Sequence, residues 1–137
     1  MDNSTKRLND VFFYGLYMDE EILKNKGVEP RNKRKALVHG YILRLGNMAT
    51  LLRKENAVAY GMVYSLTHEE IDMLYKNSGL TQYVNEALMV ELEDKSCIVA
   101  LCSVLLDAPK ADESNDEYYQ KLVSCMKKYE LEIPTKV

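Results

Sequence analysis

Short apolar runs and alternating stretches follow one another along the chain, and this pattern predicts strands broken by three helices. Val11–Tyr14 consists of β-branched and aromatic residues, as in a buried strand. Gly15 permits a sharp turn and the close approach of another group. Asp19 is placed to cap a short helix that ends near Gly27. The backbone N–H groups between this strand and this helix are an expected binding point for an anion or oxyanion.

The next third of the chain predicts further strands and a second helix. Thr67 has the position of an N-cap, and Glu70 completes a capping box, so we assign Glu70 a structural role rather than a catalytic one. The other predicted elements are a polar loop with the basic run Arg31–Lys35, a strand Lys35–Leu45 with a bend at Gly40, a strand Met48–Leu52, a turn over residues 53–56, a strand Ala57–Ser65, and the end of the second helix at Asn77–Gly79.

The last third predicts a strand pair and a final helix. Gln82–Leu92 and Ser96–Leu106 are the two strands, joined by a turn at Asp94 and Lys95. A second capping box at Ser114–Glu117 opens the helix. Consecutive strands with a glycine bend and few helices indicate an α+β fold, a small, partly closed β-barrel with peripheral helices.

Composition fits one domain of 137 residues with an ordinary charged surface. Charged residues make up 28% of the chain and the net charge is −3, which argues against a nucleic-acid partner. No apolar run approaches the roughly 20 residues that cross a bilayer, and the first seven residues lack the apolar segment of a signal peptide. We therefore expect neither a membrane partner nor export.

Cysteine and histidine usage predicts no metal or other cofactor. The three cysteines, Cys97, Cys102 and Cys125, have no metal-ligand spacing, and two of them lie in an apolar strand. Such residues are typical of the reduced core of a cytoplasmic protein. With two histidines in the chain, a histidine-rich metal site is not expected.

Several short motifs occur in an order that resembles the γ-glutamylcyclotransferase-like family, over about residues 11–129. They are Tyr14-Gly15, Gly40-Tyr41, Gly46-Asn47-Met48-Ala49-Thr50, Gly61-Met62-Val63-Tyr64-Ser65-Leu66-Thr67, Cys97-Ile98-Val99-Ala100-Leu101 and Ser114-Asn115-Asp116-Glu117-Tyr118. The resemblance implies the family's small mixed β-barrel. It also implies a pocket for a small γ-glutamyl or amino-acid-like ligand, lined by Tyr14, Gly15, Leu16 and Tyr17, with Tyr83 as a further lining residue.

The family's chemistry, by this resemblance, is an intramolecular acyl transfer. The substrate's α-amine attacks its own γ-glutamyl carbonyl, closes 5-oxoproline and expels an amine. Orientation supplies much of the acceleration, and backbone N–H groups of the Tyr-Gly loop stabilise the oxyanion. A glutamate after the middle helix acts as the general base.

The sequence departs from the family at that base. Aligning Leu74 and Gly79 with the motif places Ser78 at the glutamate position, and Asn85 replaces an arginine that follows. A serine hydroxyl has no useful basicity near neutral pH, and no histidine lies close by in sequence. Glu86 is the nearest alternative carboxylate, although strand alternation leaves open which way it points.

Three hypotheses follow for the function. The first is a γ-glutamylcyclotransferase-like protein that is inactive in 5-oxoproline formation and retains the small-ligand pocket. The second is an active cyclotransferase or related acyl-transfer enzyme that uses another base, such as Glu86. The third is a protein-interaction domain without a small-molecule site. The sequence leaves the enzymatic status and the oligomeric state open.

Overall fold

Five strands close into a barrel in the computed structural model, which describes residues 6–133. In chain order the elements are β1 (Leu8–Phe13), a 3₁₀ turn (Leu16–Met18), α1 (Glu20–Asn25), β2 (Arg31–Leu45), β3 (Ala49–Thr67), α2 (His68–Leu74), β4 (Tyr83–Leu92), β5 (Cys97–Leu105) and α3 (Asp116–Lys128).

The strand order around the barrel is β1-β3-β2-β4-β5. The neighbouring pairs are antiparallel except β1 and β5, which run parallel and meet where Val11 lies opposite Leu101. This parallel contact closes the barrel and makes it mixed. The predicted α+β barrel with peripheral helices is therefore confirmed.

Strand alternation divides the buried residues into two cores, and β1 contributes to both. Phe12 packs inside the barrel with residues from the other four strands. Its neighbours Val11 and Phe13 point outward and pack beneath the helices. Burial on both faces explains why the second half of this strand, from Val11 to Phe13, is continuously apolar in sequence.

A long hairpin of β2 and β3 forms one side of the barrel. The predicted bend at Gly40 is present as a break in register between His39 and Tyr41, with a φ of +83° at the glycine. The predicted turn over residues 53–56 is wrong, because β3 runs unbroken through it and pairs with β2 on both sides of the bend. Polar residues tolerate this position because this part of the strand is exposed.

The basic run Arg31–Lys35 is not the loop that its composition suggests. It begins β2, and its arginines pair with carboxylates brought from other parts of the chain. Arg31 contacts Glu70 at 2.7 Å, and Arg34 contacts Asp10 at 2.8 Å. These distant partners explain why local sequence did not show a strand here.

The first two helices begin at the predicted caps. The Asp19 side chain accepts a hydrogen bond from the Glu21 backbone at 3.0 Å. Thr67 and Glu70 form the predicted capping box, with each side chain bonded to the other residue's backbone N–H. Local sequence is sufficient here because a cap needs only neighbouring residues.

Two helix boundaries differ from the prediction. The second helix ends at Leu74, and the predicted end at Asn77–Gly79 lies in the turn that follows. Asn115, rather than Ser114, caps α3 by accepting from the Tyr118 N–H at 3.0 Å. Within residues 6–133, none of the helices has the length and apolar character needed to cross a membrane.

Candidate functional site

A pocket of about 260 Å³ opens where β1 leaves the barrel. Its walls come from the 3₁₀ turn, the tip of the β2–β3 hairpin, the segment between α2 and β4, and the first turn of α3. The lining residues are Phe13, Tyr14, Gly15, Leu16, Tyr17, Asn47, Met48, Ala49, Tyr75, Leu80, Tyr83 and Tyr118.

The structure brings together all five residues predicted to line a binding site. Tyr14, Gly15, Leu16 and Tyr17 form one wall, and Tyr83 faces them from the start of β4. Ser78 and Glu86, the two candidates for a catalytic base, are not part of the lining. Among residues 6–133, no group of three or more histidine, cysteine or acidic side chains is placed to hold a metal ion.

Three tyrosine hydroxyls of the pocket donate to backbone carbonyls. Tyr14 donates to Ser103 at 2.6 Å, Tyr17 donates to Leu74 at 2.8 Å, and Tyr83 donates to the carbonyl of Ala49. Because a phenol has a single proton, these three tyrosine side chains offer a ligand only ring surface and oxygen lone pairs.

A fourth tyrosine, Tyr118, meets the Tyr-Gly loop from α3. Its hydroxyl oxygen accepts a hydrogen bond from the Leu16 backbone N–H at 3.0 Å. Gly15 makes this contact possible, because a Cβ atom at that position would lie 2.4 Å from the Tyr118 hydroxyl. The close approach expected at Gly15 is thus made by a side chain of the protein itself.

Tyr75 completes the aromatic lining. Its ring stands nearly perpendicular to that of Tyr17, with 5.5 Å between the ring centroids, and lies 5.4 Å from that of Tyr83. Sequence reasoning missed Tyr75 and Tyr118 as pocket residues. Tyr118 lies in the first turn of the last helix, and its spacing there is that of an ordinary core residue, so the sequence alone carries no signal that it lines a pocket.

The lining carries no charged side chain among the residues that the structure describes. Burial raises the pKa of Tyr75 and Tyr83, and it raises the pKa of Tyr118 to about 12. These phenols therefore stay protonated at neutral pH. The pocket is a neutral, weakly polar environment in which a hydrogen bond is stronger than it would be in water.

Ser78 lies outside the lining in the turn that follows α2. It is exposed, and its hydroxyl donates to the Met73 carbonyl at 2.6 Å. It is also close to Tyr17: burial raises the pKa of Tyr17, and a hydrogen bond with the Ser78 side chain partly offsets this effect. In the described part of the chain, Ser78 makes no hydrogen bond with a histidine or a carboxylate that could activate it.

Glu86 is half-buried, faces the interior of the barrel and is not among the residues that line the pocket. It lies directly opposite Cys102 in the β4–β5 ladder, and it shares a strand face with Leu88, which packs inside the barrel. Burial, followed by the nearby charge of Glu86, raises the pKa of the Cys102 thiol to about 12. Strand alternation, which sequence alone left open, thus turns Glu86 inward.

Comparison with known proteins identifies the fold and the family. The family model described as gamma-glutamyl cyclotransferase, AIG2-like, matches residues 11–123. The chain belongs to this family. The resemblance inferred from the motifs is therefore confirmed, and the match extends through most of α3. No curated protein is similar enough in sequence to count as a match.

Several solved structures share the fold at low sequence identity. A gamma-glutamyl cyclotransferase is 16% identical, with a TM-score of 0.72, covering 88% of this chain and 79% of that one. An uncharacterized protein from Homo sapiens is 18% identical, with a TM-score of 0.73 and coverages of 90% and 80%. A protein from Arabidopsis thaliana is 17% identical, with a TM-score of 0.68 and coverages of 94% and 89%. At these identities the likeness shows the common fold.

Proposed function

We propose that this member of the gamma-glutamyl cyclotransferase, AIG2-like family binds a small γ-glutamyl or amino-acid-like ligand but does not form 5-oxoproline. One observation carries the proposal: the described lining of the pocket contains no aspartate, glutamate or histidine. Cyclisation needs a base within hydrogen-bond reach of the ammonium proton that it removes. A pocket of this composition can hold a substrate without moving that proton.

The position of Ser78 supports the absence of the base. Its hydroxyl is exposed and already donates to the Met73 carbonyl. A serine hydroxyl has no useful basicity near neutral pH, and within residues 6–133 no hydrogen bond joins Ser78 to a histidine or a carboxylate. The serine is therefore a loss of the base rather than a replacement for it.

The position of Glu86 argues against a relocated base. Its side chain lies across from Cys102 on the inner face of the barrel, whereas the substrate would sit against the Tyr14–Tyr17 loop. Glu86 is not among the residues that line the pocket, and Leu88 and Val90 on the same strand face pack in the barrel core.

The size and chemistry of the pocket support a small ligand. Pockets for drug-sized ligands run from about 300 to 1,000 Å³, so a cavity of about 260 Å³ favours a ligand of amino-acid size. Six of its twelve lining residues are aromatic, with a few polar groups at fixed positions, as is common in small-molecule sites.

The test is release of 5-oxoproline from γ-glutamyl amino acids, γ-glutamylamines and glutathione. Wild type and Glu86→Gln are expected to show no turnover. Ser78→Glu is expected to gain turnover if the pocket lacks only its base, whereas the matched control Ser114→Glu, on an exposed serine outside the pocket, is not. Wild-type turnover that disappears in Glu86→Gln would refute the proposal and establish a relocated base.

Binding is measured separately from turnover. Titration of the wild-type protein with 5-oxoproline and with a γ-glutamyl amide, followed by amide chemical shifts, is expected to perturb residues of the Tyr-Gly loop. Absence of binding, together with absence of turnover in every variant, would contradict the ligand-binding role and favour an interaction domain.

A further inference from the structure

The Leu16 amide is already occupied within the protein. Its N–H donates to the Tyr118 hydroxyl oxygen at 3.0 Å, and a backbone N–H has one proton to give. A ligand oxygen cannot take this proton while Tyr118 stays in place. The polar group that the pocket presents at this position is the phenol rather than the amide.

The proton of the Tyr118 hydroxyl is placed differently from those of its neighbours. The hydroxyls of Tyr14, Tyr17 and Tyr83 donate hydrogen bonds to backbone carbonyls. The Tyr118 oxygen instead accepts a hydrogen bond from the Leu16 N–H, and within residues 6–133 the structure assigns no acceptor to its own O–H. Accepting a hydrogen bond polarises a hydroxyl and makes it a stronger donor.

The residues around Tyr118 determine which kind of ligand oxygen its O–H can bind. The described lining holds no lysine, arginine or histidine that could neutralise a carboxylate, and most of it is apolar. Placing a carboxylate directly against the Tyr118 hydroxyl, with no cation beside it, is costly, whereas a neutral carbonyl at that point needs only a hydrogen-bond donor. The carboxylate of an amino-acid-like ligand would therefore have to lie away from Tyr118, toward solvent. The pKa of Tyr118, raised to about 12 by burial, keeps its proton in place over the physiological range.

We propose that the Tyr118 hydroxyl is the donor that recognises an uncharged carbonyl oxygen, of an amide or lactam, in this pocket. Leu16 acts through Tyr118, by orienting and polarising its O–H. The inference rests on the proposed function in one respect, since both place a small ligand in the same cavity. It goes beyond that proposal by naming the bond and the chemical group.

The experiment compares two probes that differ in a single acceptor atom. The probes are 2-pyrrolidinone and pyrrolidine-2-thione, whose sulfur is a weaker acceptor than oxygen. Dissociation constants are measured by chemical-shift titration for wild type, Tyr118→Phe and the matched control Tyr119→Phe, at the next position of α3 and outside the lining. Wild type and the control are expected to prefer the lactam over the thione.

Tyr118→Phe removes one oxygen atom and keeps the ring. It is expected to weaken lactam binding about tenfold and to lose the preference for oxygen over sulfur. Lactam binding that is unchanged or tighter in this variant would overturn the inference, because it would show that the hydroxyl blocks the Leu16 amide. The two-dimensional amide spectrum of the variant reports whether it is folded.

A second variant tests the same bond from the other side. In Gly15→Ala, the new methyl group would lie 2.4 Å from the Tyr118 oxygen and push the hydroxyl away from Leu16. Its loss of lactam affinity is expected to match that of Tyr118→Phe, and wild-type affinity in Gly15→Ala would overturn the inference.

The two proposals fail in different ways. Lactam binding that depends on Tyr118, with no binding of 5-oxoproline or γ-glutamyl amides, keeps this inference and overturns the proposed function. If γ-glutamyl amides bind and the lactam affinity is the same in Tyr118→Phe as in wild type, the proposed function stands and this inference is overturned. If wild type fails to bind the lactam at all, the inference is wrong whatever the γ-glutamyl compounds do.

Discussion

Replacing Glu70 by alanine tests whether the start of α2 holds the barrel together. Glu70 is 8% exposed and joins three parts of the chain. Its carboxylate accepts from the Arg31 guanidinium at 2.7 Å, from the Glu29 backbone N–H at 2.8 Å and from the Thr67 backbone N–H at 3.0 Å. The substitution leaves all three donors without this partner.

The expected destabilisation is about 3 kcal/mol, taking a charge-assisted hydrogen bond as about 2 kcal/mol and the lost cap as about 1 kcal/mol. Both charged side chains are less than one third exposed, at 30% for Arg31 and 11% for Glu70, so solvent screens the pair only in part. For a chain of this length, the loss corresponds to a fall in melting temperature of about 10 °C.

Urea denaturation followed by circular dichroism measures this loss. Glu69→Ala is the matched control, since Glu69 lies in the same first helical turn but is exposed. The control is expected to cost about 0.5 kcal/mol through the helix dipole. If Glu70→Ala costs no more than Glu69→Ala, the reasoning from burial and hydrogen bonding is wrong.

The same interaction has a predictable pH dependence. Burial alone would raise the pKa of Glu70, but Arg31 and the two backbone N–H groups outweigh it and lower the pKa below its ordinary value of 4.5. A lowered folded-state pKa means that the contribution is complete above pH 4.5 and is lost as pH falls through the folded value. The stability difference between wild type and Glu70→Ala should therefore shrink below pH 4.5.

Two further predictions concern the barrel. Gly61→Ala places a methyl group 2.1 Å from the Phe13 carbonyl oxygen and should lower the free energy of unfolding by about 3 kcal/mol or more in urea denaturation. The control Gly40→Ala meets open space and should cost about 1 kcal/mol from its positive φ alone. Equal costs for the two variants would contradict the steric account. In the native protein, Cys97 is exposed, whereas Cys102 and Cys125 are buried. A thiol reagent at neutral pH should therefore modify Cys97 rapidly and the two buried thiols only when the protein unfolds. Rapid modification of Cys102 would contradict its burial.

Local signals in the sequence were sufficient for the caps of the first two helices, and failed where the partners are distant. Thr67 and Glu70 lie three residues apart, so their capping box is visible in the sequence. The pairing of Arg31 with Glu70 joins residues 39 positions apart, and nothing near the arginine indicates a strand. Charge density alone therefore predicted a loop where β2 begins.

The candidate site also combines features that local sequence predicts with features that depend on distant residues. The wall formed by Tyr14 to Tyr17 is continuous in sequence, and its motif made it predictable. Tyr118 reaches that wall across 102 positions, and its helical spacing is indistinguishable from that of an ordinary core residue. The strand face on which Glu86 lies is set by the register between β4 and β5, and this register is a property of the folded sheet.

The tip of the β2–β3 hairpin has a consequence for how this pocket can diverge among relatives. Ala49 holds the tip against the barrel through its main-chain oxygen, which accepts a hydrogen bond from the Tyr83 hydroxyl. The Tyr14 hydroxyl, which donates to Ser103, lies 3.4 Å from the same oxygen. Asn47 and Met48, beside it, contribute to the pocket lining. Because the anchor is main chain, mutation can alter the two side chains while the tip stays attached. Selection for a new ligand thus has two positions to vary at little cost to folding.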